Sequence, residues 1–176
     1  SRYPAEIGLP FHCHLRANLV TEEIMELLRK AGCISVKMAI ESVKPKLLNE
    51  ILGRDLQPAT LDRACRAVKN SGVALVTQNI LAIPTSTLED DLETLSFNWD
   101  IRPDFAFATL MQPYPRTRIA EFCRTAELIE GDETIPDSFF DDCVLKLPDM
   151  DKRKRVRHLF ALSIEFRLIR KLLPLL

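Results

Sequence analysis

Four short apolar segments limit what this chain can fold into: GLPFHCHLRA (8–17), CISVKMAI (33–40), VALVTQNILAI (73–83) and DFAFATLM (104–111). The last three are near-continuous runs of apolar and β-branched residues, which suit strands covered on both faces. Helix-forming sequence follows each one. Strand then helix, four times over, predicts right-handed crossovers and an α/β fold with a parallel sheet of four strands, helices outside. KAGCISV and NSGVALV both place a helix-ending glycine just before a strand, a repeat of about 40 residues.

The helices are punctuated. Thr21 caps a helix to about Lys30, with Glu22 and Glu23 in its first turn and Gly32 at its end. Pro45 suits a first turn, and Gly53 stops that helix before Arg54. Thr60 is expected to cap the next, closed by Gly72. Thr87 caps another, with Asp90 in capping-box position. Beyond residue 126 the chain turns acidic and is broken by Pro136 and Pro148. A long helix is expected over about 150–173, with Val156, Leu159, Leu162, Phe166, Ile169 and Leu173 on one apolar stripe. Arg153, Arg157, Arg167, Arg170 and Lys171 decorate the rest. Such a helix packs on its own domain or a neighbour, or lies on a membrane surface. The chain thus divides into 1–130 and a C-terminal extension, 131–176.

A net charge of -1 argues against a broad face for nucleic acid. No apolar run reaches the roughly 18 residues of a membrane span, and no signal peptide is visible, so a cytoplasmic location is expected. The five cysteines, Cys13, Cys33, Cys65, Cys123 and Cys143, show no Cys-x-x-Cys spacing and read as reduced, small apolar residues. In FHCHLR at most His12 and His14 converge, and no metal is expected in this chain.

Ligands of parallel α/β folds bind beyond the carboxyl ends of the strands. Those ends carry His14, Arg16 and Asn18; Glu41 and Ser42; Gln78, Asn79 and the turn after Pro84; and Gln112, Tyr114 and Thr117. They predict one polar pocket. The carboxylate of Glu41 can hold a vicinal diol such as a ribose, and the planar fork of Arg54 a ligand carboxylate. A structural Glu41–Arg54 ion pair is the equal alternative. In QPYPRT two prolines end a strand and stiffen its exit, where Tyr114 can stack on a flat ring.

LPFHCHLRANLVTEEIMELLRKAGCISVKMAIES, LGRDL, NILAIPTSTLEDDLETL and QPYPRT, in this order, resemble the later strands of radical S-adenosylmethionine enzymes, most closely the cobalamin-binding branch. The resemblance covers about residues 7–130. It implies a partial (β/α) TIM-type barrel of six strands, of which this chain is the last four. It implies S-adenosylmethionine as cofactor, an iron–sulfur cluster, and cobalamin in that branch, cluster and cobalamin being bound by a missing N-terminal part. Glu41 and Ser42 match the strand end that meets the ribose, and Arg54 the arginine near the methionine carboxylate. His14 and Arg16 match the third-strand end; Gln78, Asn79 and Pro84 the segment bordering the adenosine; Gln112 and Tyr114 the last strand exit. The implied chemistry is formation of a 5′-deoxyadenosyl radical for methyl transfer or cyclisation. The three-cysteine cluster motif is not in this chain, which is expected to be inactive alone. Ala39 and Ala82 stand where the resemblance expects glycine, and IPTST lacks a glycine and a glutamate. The expected partners are the N-terminal half of the same protein and a small-molecule substrate; alone, the chain is expected to self-associate or cover its sheet edges. Two other readings stand beside this one: a non-catalytic nucleotide or S-adenosylmethionine binding module, and a protein-interaction module.

Overall fold

The computed structural model describes residues 2–129 and 143–171. After a short helix α1 (Tyr3–Glu6), the elements run β1 (Phe11–His14), α2 (Glu22–Ala31), β2 (Cys33–Glu41), α3 (Pro58–Asn70), β3 (Ala74–Leu81), α4 (Leu88–Ile101), β4 (Phe105–Leu110), α5 (Arg118–Thr125) and α6 (Met150–Glu165). The four strands pair in sequence order, and every pair is parallel. This is the α/β arrangement the apolar strands predict: consecutive units of a (β/α) barrel.

Side chains alternate across each strand. One set (Val36, Met38 and Ile40 of β2, Leu75 of β3) is buried with Leu61, Ala64, Cys65 and Val68 of α3. Further along the sheet, Leu81, Ala106, Ala108 and Leu110 pack against Leu95 of α4 and Val156 and Phe160 of α6. The other set, including Ala39, Gln78, Phe105 and Phe107, lies on the opposite face and is half-buried or exposed. Core and helices therefore occupy one side of the sheet, and the side that faces a barrel axis is open.

Thr21 accepts a bond from the Ile24 amide, and Gly32 ends α2 at φ +94°, a left-handed conformation that favours glycine. Thr87 and Asp90 form a reciprocal capping box on α4. Pro45 lies in the first turn of a helical segment whose last residues, Leu47–Ile51, form a π-helical turn. One cap differs from expectation. Helix α3 starts at Pro58, with Gln57 rather than Thr60 as its N-cap. The fixed φ of proline suits the first helical position, and it starts the helix three residues earlier.

The phase of α6 also differs. Its buried residues are Arg153, Val156, Phe160 and Ser163, whereas Leu162 and Phe166 are exposed. The helix ends at Glu165, and a 3₁₀ turn follows over Arg167–Lys171. Trp99 of α4 donates to Ser163 Oγ at 3.0 Å, and the Arg170 guanidinium lies 5.0 Å from the Trp99 ring centre. Polar anchors thus decide which side of α6 faces the sheet. Leu173 and Pro136 lie outside the described residues.

Candidate functional site

Strand β2 ends in an irregular register, Ala39 pairing with Gln78 but Glu41 with Asn79, and Glu41 takes φ +62°. Glu41 is buried, yet its carboxylate meets the Arg54 guanidinium on both oxygens. Arg54 arrives there because the π-helical turn and Gly53, at φ +62°, return the chain over the end of β2; the Arg54 amide donates to Leu48 O at 2.8 Å. Arg16, beyond β1, donates to Arg54 O at 3.1 Å. The Arg54 side chain remains about half exposed, with 46% of it accessible.

Two hollows open beside this pair. The larger, about 310 Å³, is lined by Leu52, Arg54, Ile80, Thr109, Gln112 and Tyr114, among others. The smaller, about 230 Å³, is lined by Ala39, Glu41, Gln78, Ile80, Phe107 and Thr109, with Asn79. Ile80 and Thr109 belong to both, and Glu41 and Arg54 link one to the other. The hollows are thus adjacent parts of one trough across the carboxyl ends of β2, β3 and β4. Its volume falls in the range of small-molecule sites, roughly 300–1,000 Å³. Ring, amide, hydroxyl and charged groups all reach it.

Not every predicted residue reaches the trough. Glu41, Arg54, Gln78, Gln112 and Tyr114 do. Asn79 touches the smaller hollow, but its side-chain amide is spent elsewhere. It donates to Phe107 O at 3.0 Å and accepts from Asn98 Nδ2 at 2.9 Å. Asn98 also accepts from the Thr77 hydroxyl at 2.6 Å, a buried network behind the sheet. Neighbours on a strand face opposite ways, so Gln78 and Asn79 cannot both project into one hollow. Ser42 is buried, and its hydroxyl accepts from the Lys44 amide at 3.1 Å. Pro84 is buried in the turn after β3 and lines neither hollow. His14 and Arg16 are exposed at the end of β1, outside both linings. Thr117 touches the larger hollow and also caps α5, accepting from the Ala120 amide.

Residues the sequence reading passed over shape the walls. Thr109 and Ile80 sit at the centre of the trough, and Phe107 adds a ring to its smaller part. Alternation from Gln78 and from the polar Thr109 could have flagged all three.

The five thiols pack in or against the hydrophobic core. Burial pushes Cys65 up to about 12, and burial together with Cys33, 3.7 Å away, pushes Cys13 up to about 11. Among the described residues no group of three or more His, Cys, Asp or Glu side chains is placed to hold a metal ion, and no helix is long and apolar enough to cross a membrane. The donor set therefore does not fit an iron–sulfur cluster, which needs thiolates close together.

Comparison with known proteins matches residues 4–97 to the radical SAM superfamily. An uncharacterized methyltransferase of Pyrococcus horikoshii is 29% identical over 114 residues, which are 65% of this chain and 25% of that protein. A putative methylthiotransferase of Methanocaldococcus jannaschii is 31% identical over 61% of this chain and 24% of its own length. The chain thus spans about a quarter of the length of these curated relatives. Among solved structures, coproporphyrinogen III oxidase of Escherichia coli, a radical SAM enzyme, superposes with a TM-score of 0.62 at 13% identity, covering 85% of this chain and 31% of that one. The radical S-adenosylmethionine methyltransferase TsrM of Kitasatospora setae, with tryptophan and a SAM analogue bound, gives 0.59 at 19% identity, over 81% of this chain and 28% of that one. At these identities the likeness concerns the fold.

Proposed function

The chain belongs to the radical SAM superfamily, and we propose that it forms the later strands of a longer radical SAM enzyme and contributes one wall of its S-adenosylmethionine site. The observation that carries this reading is the trough over β2–β4, with the Glu41–Arg54 pair at its centre. A nucleoside with a charged amino-acid tail needs an apolar floor, ring contacts and paired hydrogen-bonding groups. Ile80 and Phe107, with Gln78 and Thr109 beside them, supply the first part. Glu41 orients Arg54, whose exposed guanidinium faces the larger hollow and suits a ligand carboxylate. Each Glu41 oxygen keeps a lone pair beyond the one Arg54 uses, so the carboxylate can also accept from ribose hydroxyls. The ion pair and the ligand-binding role are then compatible.

An iron–sulfur cluster, which these residues do not hold, would be bound by another part of the full-length protein and would supply the electron for cleavage of S-adenosylmethionine there. The described residues orient the cofactor and keep water from it. Alone, the chain is inactive in radical formation. Methyl or methylthio transfer is the favoured outcome for the whole protein, because two of the relatives above carry those names. Cobalamin in the full protein is supported by the sequence resemblance to that branch. The test is calorimetric titration of S-adenosylmethionine into the full-length protein. Glu41→Gln and Arg54→Met should each weaken binding about tenfold or more, the loss of a charge-assisted contact of about 1.5–3 kcal/mol. Unchanged binding in both would leave the pair with a structural role only.

A further inference from the structure

We propose that Arg153, on the C-terminal helix α6, is a positioning residue for the β3 wall of the trough. It acts by holding the 82–87 turn in a strained shape. This rests on the reading of the trough as a ligand site. Arg153 is fully buried. Its Nε donates to Pro148 O at 3.0 Å, Nη1 to Ser86 Oγ at 2.8 Å and Asp91 Oδ2 at 2.7 Å, and Nη2 to Ser86 O at 2.7 Å. The Asp91 carboxylate in turn accepts the Ala82 amide on both oxygens, at 3.3 and 3.2 Å. One guanidinium therefore ties α6 to both ends of the turn between β3 and α4.

That turn needs holding. Ala82 stands at φ +56° and Thr85 at φ +72°, a region that side chains disfavour and glycine accepts. The Ser86 amide closes the turn on Ile83 O at 2.8 Å. Ile83 is buried with Leu47, Met111 and Leu145, and Ile80, Leu52 and Ile119 pack against the same cluster. The last three line the larger hollow. From the guanidinium to the hollow the path is thus one carboxylate, one strained turn and one packed isoleucine. A buried charge is a costly way to fill space, and it persists where its bonds are fully used. Here three of four bonds to named acceptors go to the turn and the head of α4.

The test compares the full-length protein with Arg153→Met, and with Arg153→Met combined with Ala82→Gly and Thr85→Gly. Two readouts are taken: amide hydrogen exchange, and calorimetric affinity for S-adenosylmethionine. In Arg153→Met, exchange at Ala82 and Ser86 should rise at least about tenfold more than at Leu75 and Thr77 of the same strand. Affinity should fall about tenfold. Glycine at 82 and 85 removes the strain, so it should restore affinity to within about threefold while the melting temperature stays low, because Asp91 remains unpaired. Exchange rising uniformly along β3, unchanged affinity, or no rescue by glycine would each overturn the proposal. Should Arg153→Met not fold, Arg153→Met with Asp91→Leu, which removes both charges, carries the same expectations for exchange and affinity. Failure of the unmodified protein to bind S-adenosylmethionine would overturn the ligand reading. The exchange pattern would still decide whether Arg153 holds the turn.

Discussion

Replacing Asn98 with leucine should destabilise the protein while leaving its ligand trough intact. Asn98 is fully buried on α4, accepts from the Thr77 hydroxyl and donates to both Asn79 Oδ1 and Thr94 O. Leucine has nearly the same volume, so no large cavity opens. Two buried groups, the Thr77 hydroxyl and Asn79 Oδ1, lose a partner, at about 1–3 kcal/mol each. The buried apolar side chain offsets roughly 1 kcal/mol of this. The net loss is about 1–5 kcal/mol, or roughly 2–20 °C in melting temperature for a chain of this size. Adding Thr77→Val, which removes one of the orphaned groups, should recover about half. Differential scanning calorimetry on the three proteins measures this. An Asn98→Leu protein melting within about 1 °C of the unmodified one would show that the network contributes nothing. A loss of S-adenosylmethionine affinity beyond about tenfold without a change in melting would return Asn79 to the ligand site.

Two further predictions concern the C-terminal helix and its anchor. Phe160→Asp should lower stability by about 3–5 kcal/mol, whereas Leu162→Asp should change it by under about 1 kcal/mol, because Phe160 is buried and Leu162 exposed; comparable losses at both positions in urea titrations would contradict the observed phase of α6. Burial raises the Asp91 carboxyl from 3.8 to about 6, against the pull of Arg153. Between about pH 4 and 6 the folded protein holds a proton that the unfolded chain has released, so this group's contribution is full below about pH 4 and is lost as pH rises through about 6. Relative to Asp91→Asn, the unmodified protein should therefore lose stability, on the order of 3 kcal/mol, between pH 4 and 7 in denaturant midpoints; a relative gain over that interval would reverse the sign and refute the raised value.

The parallel sheet was legible because three of its strands are apolar almost throughout and because cap signals such as Thr21, Gly32 and Thr87 mark where helices begin and end. The meeting of Glu41 and Arg54 was legible from a strand end, a short helical segment and a glycine stop. Asn79 borders the trough, but the two-residue alternation that turns Gln78 to one face turns the Asn79 amide toward Asn98 and Phe107 O, partners the local sequence did not reveal. The phase of α6 was hidden by its anchors. Counting apolar residues cannot show that Arg153 and Ser163 point inward, because their partners, Ser86, Asp91 and Trp99, lie more than 60 residues away in the chain. Alanine at 82, where the resemblance expects glycine, pointed to left-handed backbone there, but no local pattern marks the same conformation at Thr85.

In the full-length protein S-adenosylmethionine should lie across the carboxyl ends of β2, β3 and β4. A structure of the full-length protein with S-adenosylmethionine bound tests it most directly. Ligand atoms should lie within van der Waals contact of Ile80 and Thr109, with the ligand carboxylate on Arg54. A ligand seated away from both residues, with the Glu41–Arg54 pair untouched, would contradict it.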